Sequence, residues 1–146
     1  MGRDFTGKYV CTESTGFDNF MEEMGVPWLV RKGLELFSNG NPTLEIAVEG
    51  DTMIFDLENM SPSQEFLRRV TAGCAPFEHT DHMGYLLEGT CEWEGDNFTI
   101  TLQPKSAGGK GYKCVRELTD AGGVVVTMIP NGVEEKKMRR HFARQA

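Results

Sequence analysis

The sequence has no apolar run near the roughly 20 residues that a membrane-spanning helix needs. Its first residues, Met1-Gly2-Arg3-Asp4, hold no apolar stretch ahead of a cleavage site. Both absences point to a cytoplasmic protein. Met1-Gly2 with Thr6 fits a myristoylation pattern only superficially, because Arg3 and Asp4 intervene. Only four cysteines occur, Cys11, Cys74, Cys91 and Cys114, and none is in CxxC spacing. That excludes the usual zinc and thioredoxin-type signatures and leaves reduced, partly buried thiols as the expectation. Neither Gly-x-Ser-x-Gly nor a triad spacing is present, so no catalytic residue is assigned and no enzyme activity is expected. Basic residues are few: 15 Lys and Arg against 22 Asp and Glu give a net charge of -7. Such a chain repels a phosphate backbone, and no nucleic-acid partner is expected. Repeats, linkers and low-complexity tracts are missing too, and 146 residues suit one domain, 1–146.

What is present is strand and turn chemistry around one helical pair. Phe5 to Thr12 alternates and is rich in β-formers. Phe17, Phe20, Met21 and Met24 then fall at helical spacing, Thr15 with Asp18 resembles a capping box, and Gly25 can end the helix. A second helix, opened by Pro27, is expected over Trp28 to Phe37, with Leu34 and Leu36 apolar and Asn39-Gly40 as its stop. From residue 42 the period becomes two. Strands are predicted at 42–49, 52–58, 64–71, 76–79, 84–93, 97–103, 110–118, 123–129 and 136–144, parted at Gly50, Gly95, Gly122 and Gly132. Asn97-Phe98-Thr99 matches a glycosylation sequon but reads as strand.

With the first strand the count is ten, so the fold class is all-β: a ten-stranded antiparallel barrel, closed on itself, with a helix-turn-helix lid at about 16–37 between its first two strands. A barrel of that size can enclose a ligand, and one without edges has little reason to pair with a second copy, so a monomer is expected. His79 and His82 flank Asp81 beside Glu78, but loop groups without a third fixed ligand are ordinarily solvated, and neither metal nor cofactor is expected.

Several motifs carry a resemblance. Phe5-x-Gly7-x-Tyr9, Gly16-Phe17-Asp18-Asn19-Phe20-Met21 and Met24-Gly25-Val26-Pro27-Trp28-Leu29-Val30-Arg31-Lys32 resemble the opening of the intracellular fatty-acid-binding proteins. Val48-Glu49-Gly50-Asp51 is similar to that family's second hairpin, and Val115-Arg116-Glu117-Leu118 resembles its cellular retinoic-acid-binding branch. Arg140-His141-Phe142 stands where the family carries Arg-x-Tyr, so Phe142 replaces a tyrosine; the segment 133–140 is longer than usual, and 60–83 lacks the family's wording. The resemblance implies a β-clam of lipocalin-like type that carries a long-chain fatty acid or similar hydrophobic carboxylate. A retinoid, or a membrane-bridging role with a filled cavity, is the rival.

Period-two alternation groups Arg140 with Met138 and Phe142, and Arg116 with Tyr112 and Cys114. From the residues alone, Arg116 and Arg140 read as solvated strand residues, with Arg139 inward instead. The resemblance places Arg116, Arg140 and Phe142 at the ligand carboxylate. Phe17, Met21, Trp28, Leu29, Leu44, Leu57, Tyr112, Cys114, Val126, Met128 and Met138 are expected to line the cavity or its portal, or to be ordinary core. Cys114 beside Arg116 raises the question of a reactive thiolate, against that of a buried structural thiol. Arg31, Lys32, Lys136, Lys137, Arg139, Arg140 and Arg144 offer a weak docking surface for anionic membranes, or scattered solvated charge.

Overall fold

Alternating apolar residues joined by tight glycine turns give a single antiparallel sheet. In the computed structural model the order is β1 (Gly7–Thr15), α1 (Phe17–Glu23), α2 (Trp28–Ser38), β2 (Thr43–Glu49), β3 (Thr52–Leu57), β4 (Arg69–Thr71), β5 (Phe77–Thr80), β6 (Leu86–Glu94), β7 (Asn97–Pro104), β8 (Tyr112–Leu118), β9 (Val124–Pro130) and β10 (Met138–Arg144). The structure describes residues 4–38, 41–58, 62–81 and 84–145, without the side chains at 34–38 and 62–64. The expected contacts of Leu34 and Leu36, the Asn39-Gly40 stop and His82 fall outside the described residues.

The ten strands follow the order β4-β3-β2-β1-β10-β9-β8-β7-β6-β5. First and last strands pair, Cys11 opposite Phe142, with a bulge before Glu13 that bends β1 toward the helices. The sheet curls around its apolar face, but β4 and β5 are edges, so the expected closed barrel lacks a ladder there; Gly73 N–H, just after β4, donates to Cys91 O on β6 at 2.7 Å. Both edges are short, three and four residues, which limits pairing with other chains.

The main departure lies at 64–71. Instead of one strand, a 3-10 helix spans Pro62–Leu67 and only Arg69–Thr71 is extended. Proline at the first position favours a helical turn, and the backbone returns to the sheet where Phe55 N–H donates to Arg68 O at 2.6 Å. The capping box also fails to form: the N-cap of α1 is Gly16 at φ 79°, with no side-chain cap. A Cβ there would overlap the Lys137 carbonyl, so glycine is needed both for the left-handed conformation and for the close approach. Gly25, at φ 83°, ends α1 as its position suggests.

Phe5, Tyr9, Phe98, Ile100, Leu102 and Val124 are fully buried and form part of one core cluster. Arg144, exposed on β10, donates to Gly122 O, Thr6 O and the Tyr9 hydroxyl.

Candidate ligand-binding site

Register places the inward residues of β8, β9 and β10 in three parallel rows. Cys114 opposes Met128, which opposes Met138; Arg116 opposes Val126, which opposes Arg140; Leu118 opposes Val124, which opposes Phe142. Two strand spacings separate Arg116 from Arg140, about 9.5 Å between backbones, with Val126 between them. Alternation thus sets both guanidiniums on one face.

That face walls a cavity of about 40 Å³ lined by Phe55, Leu57, Leu67, Cys114, Arg116, Val126, Met128, Met138, Arg140 and Phe142. Its lining is almost wholly apolar apart from the two arginines. Arg116 is 1% exposed, the largest fully buried side chain. Its guanidinium stacks on Phe55 at 4.0 Å, and its terminal nitrogens meet Leu67 O at 3.0 Å and Met53 Sδ at 3.5 Å. Among the described residues, no carboxylate pairs with it. Burial pulls its pKa below the usual guanidinium range, opposed by the nearby Cys114, Cys91 and Tyr112. Arg140 lies 5.6 Å from the Phe142 ring. The Nε of Arg116 and the Nε of Arg140 are both buried without a hydrogen-bond partner. Two cations thus line one largely apolar void, and each keeps a buried Nε donor without a partner.

The remaining expected residues separate into three groups. Leu57, Cys114, Val126, Met128 and Met138 line the cavity with the arginines and Phe142. Leu44 is core, 1% exposed on β2 opposite the cavity-lining Leu57. Tyr112 shares the Arg116 face but meets the lid: its ring lies edge-on to Phe20 at 5.7 Å. Phe20, not Phe17 or Met21, is the buried anchor of α1; the other two are partly buried against the core. Trp28 and Leu29 are 57% and 76% exposed on α2, so they are not core. Sequence reasoning missed Phe55 and Leu67. Phe55 was within reach, since it shares its face with Leu57, whereas Leu67 was hidden in the misassigned 64–71 segment.

Two chemical expectations change. Burial raises the Cys114 thiol more than Arg116 lowers it, so at neutral pH it stays protonated and unreactive. Cys91 is likewise pushed up to about 11. Of the residues expected to form a basic docking surface, Arg31 is buried and several others are engaged with neighbours at the surface. Arg31 is 9% exposed, clasping α1 to α2 through Asp18 at 3.0 Å and Val26 O at 2.9 Å. Lys137 pairs with Glu134, Lys136 approaches Glu22, Arg139 donates to Thr127 and the exposed Arg144 donates to Gly122 O. His79 stacks flat on Phe66, ring centres 3.7 Å apart, and Glu78 pairs with Lys105. Among the described residues no three His, Cys, Asp or Glu side chains gather to hold a metal ion. No described helix is long and apolar enough to cross a membrane.

No family model matches the chain. A fatty acid-binding protein of Lepidoglyphus destructor is 31% identical over 130 residues, covering 89% of this chain and 92% of that protein. One of Tyrophagus putrescentiae is 29% identical over 127 residues, 87% of this chain and 89% of that protein. Among solved structures, lipid binding protein 8 of Caenorhabditis elegans, in its apo form, aligns over 97% of this chain and 95% of its own, with a TM-score of 0.72 at 21% identity. That alignment shows the same curled ten-stranded sheet with its two-helix lid. With these relatives spanning nearly their whole length, the chain belongs to the intracellular lipid-binding protein family.

Proposed function

We propose that this protein is a cytoplasmic carrier that holds a long-chain fatty acid, or a similar hydrophobic carboxylate, inside the barrel with its headgroup between Arg116 and Arg140. The observation that carries the reading is that Arg116 and Arg140 line one apolar cavity and that each keeps a buried Nε donor without a partner. A carboxylate over Val126 meets both, cancels their mutual repulsion and replaces the water each lost on burial. Apolar contacts to the chain would supply most of the affinity, at about 0.8 kcal/mol per buried CH₂, and the arginines its orientation. The names of the relatives agree with this class of ligand.

The test compares an acid with its alcohol. Arg116→Ala or Arg140→Ala is expected to weaken hexadecanoate binding by about 1.5–3 kcal/mol and to leave hexadecanol nearly unchanged. Equal losses for both in fluorescence displacement would show that the arginines do not read the headgroup. Mass spectrometry of the copurified ligand separates a fatty acid from a retinoid.

Delivery would use α2. Trp28, Leu29 and Val30 form an exposed apolar patch, with Lys32 5.8 Å from the Trp28 ring, a combination suited to the interface of an anionic bilayer. Leu29→Ala should slow transfer of a fluorescent fatty acid to phosphatidylserine vesicles while equilibrium affinity holds; a loss confined to affinity would place Leu29 in the binding site instead.

A further inference from the structure

The cavity is lined by two positive charges and no negative one. Arg116 and Arg140 both line it, and none of the described residues around it is acidic. The hydrogen bonds that Arg116 makes go to neutral acceptors, Nη1 to Met53 Sδ at 3.5 Å and Nη2 to Leu67 O at 3.0 Å. The Phe55 ring 4.0 Å from Arg116 and the Phe142 ring 5.6 Å from Arg140 offer only the weak attraction of an aromatic quadrupole. Neutral partners satisfy donors but leave the charge, and a buried cation without a counter-charge carries a heavy desolvation penalty. One buried Nε on each guanidinium still lacks a partner among the described residues.

The space selects what can compensate this pair. About 40 Å³ has room for one small ion or roughly a few water molecules. The chain of a fatty acid does not fit, since ligand pockets run to roughly 300–1,000 Å³. Water would satisfy the Nε donors and leave both charges standing. A sulfate or phosphate has four oxygens to satisfy, and the lining side chains supply nitrogen donors only from the two guanidiniums. A single-atom, monovalent anion demands least. We infer that the lipid-free protein holds one chloride ion between Arg116 and Arg140, accepting from both Nε–H groups, and that a fatty acid enters by exchange with it. One monovalent anion leaves as one carboxylate arrives, so loading does not change the charge of the site. Lipid affinity thereby becomes dependent on chloride, and each loading event releases one chloride ion.

The exchange rests on the carrier reading and the chloride site does not, so two measurements separate them. Hexadecanoate binding is followed by fluorescence displacement in sodium chloride and in sodium gluconate, whose anion is too large for the cavity, both at an ionic strength of about 150 mM. The apparent Kd of the wild type is expected to be severalfold higher in chloride and to rise linearly with its concentration, whereas Arg140→Gln and Arg116→Gln should bind alike in the two salts. Thermal unfolding without lipid is the second arm: chloride should raise the Tm of the wild type above its value in gluconate, and of neither variant. Equal Kd and equal Tm of the wild type in the two salts would overturn the inference and leave the carrier reading intact. A chloride effect of the same size in a folded variant would place the ion elsewhere and overturn it as well. A chloride-dependent Tm in a wild type that binds no hexadecanoate would keep the ion site and remove the carrier.

Discussion

At Phe142 the family's ring is kept and its hydroxyl is missing. The side chain is buried, lines the cavity and stands one row from Arg140, so among the cavity-lining side chains described the guanidiniums of Arg116 and Arg140 are the nitrogen donors. Phe142→Tyr should restore a donor with little steric change and strengthen hexadecanoate binding by about 0.5–3 kcal/mol. If no carboxylate sits there, the new hydroxyl is buried unpaired and costs about 1–3 kcal/mol in stability. Isothermal titration of both proteins decides: unchanged or weaker acid binding contradicts the headgroup placement. At this scale alternation groups Arg140 with Met138 and Phe142 and sets Arg139 on the other face. The residues alone nonetheless favour Arg139 as the inward one; the cavity lining, which holds Arg140, Met138 and Phe142, decides the face. The sequence was uninformative for Arg31, which reads as a surface cation because its partner Asp18 lies 13 residues away on another helix.

Among the elements, α1 was legible because Phe17, Phe20, Met21 and Met24 repeat at helical spacing, whereas the segment 64–71 was not. There a short 3-10 helix buries only Leu67 deeply among the side chains described, and no periodic stripe marks it. That same segment leans on His79, and the contact is sensitive to acid. Burial against Phe66 pulls the His79 pKa below the ordinary imidazole value, and Asp81 offsets this only in part. Of the other charges nearby, Glu65 pairs with Arg68, while Glu78 and Glu88 share Lys105. A histidine with a depressed pKa binds its proton more readily when the stack is broken. Its stabilising contribution is therefore present above about pH 6.5 and lost as the pH falls through that value. The urea midpoint should accordingly drop more between pH 7.5 and pH 5 in the wild type than in His79→Phe, which keeps a stacked ring that cannot titrate. Parallel pH profiles would show that His79 does not sense the proton.

For the whole molecule, a ligand that binds only the folded state stabilises it by mass action. At a free concentration 100 times its Kd, hexadecanoate should add about 2.7 kcal/mol, or roughly 5–10 °C in Tm for a domain of this size. Arg116→Ala should show a smaller gain at the same concentration, and calorimetry reads the difference; an equal gain would mean that the acid is bound elsewhere. The ten-strand count, the lid and the antiparallel order were all readable from turn spacing and alternation. The open seam was not, because alternation reports which way a side chain faces and says nothing of whether the two end strands meet.

The pairing of β1 with β10 also has a bearing on synthesis. A ribosome delivers β1 first and β10 last of the ten strands, yet Cys11 needs Phe142 opposite it and Tyr9 needs Arg144. Until the tenth strand emerges, the sheet lacks its central ladder and the cavity lacks Arg140, Phe142 and Met138. Contacts this distant in sequence make folding slow relative to a helical bundle. The nascent chain therefore displays apolar strands before it has anything to hold, and ligand capture is confined to a barrel already complete: the protein cannot fold around a lipid met during translation, and must admit it afterwards through its own walls.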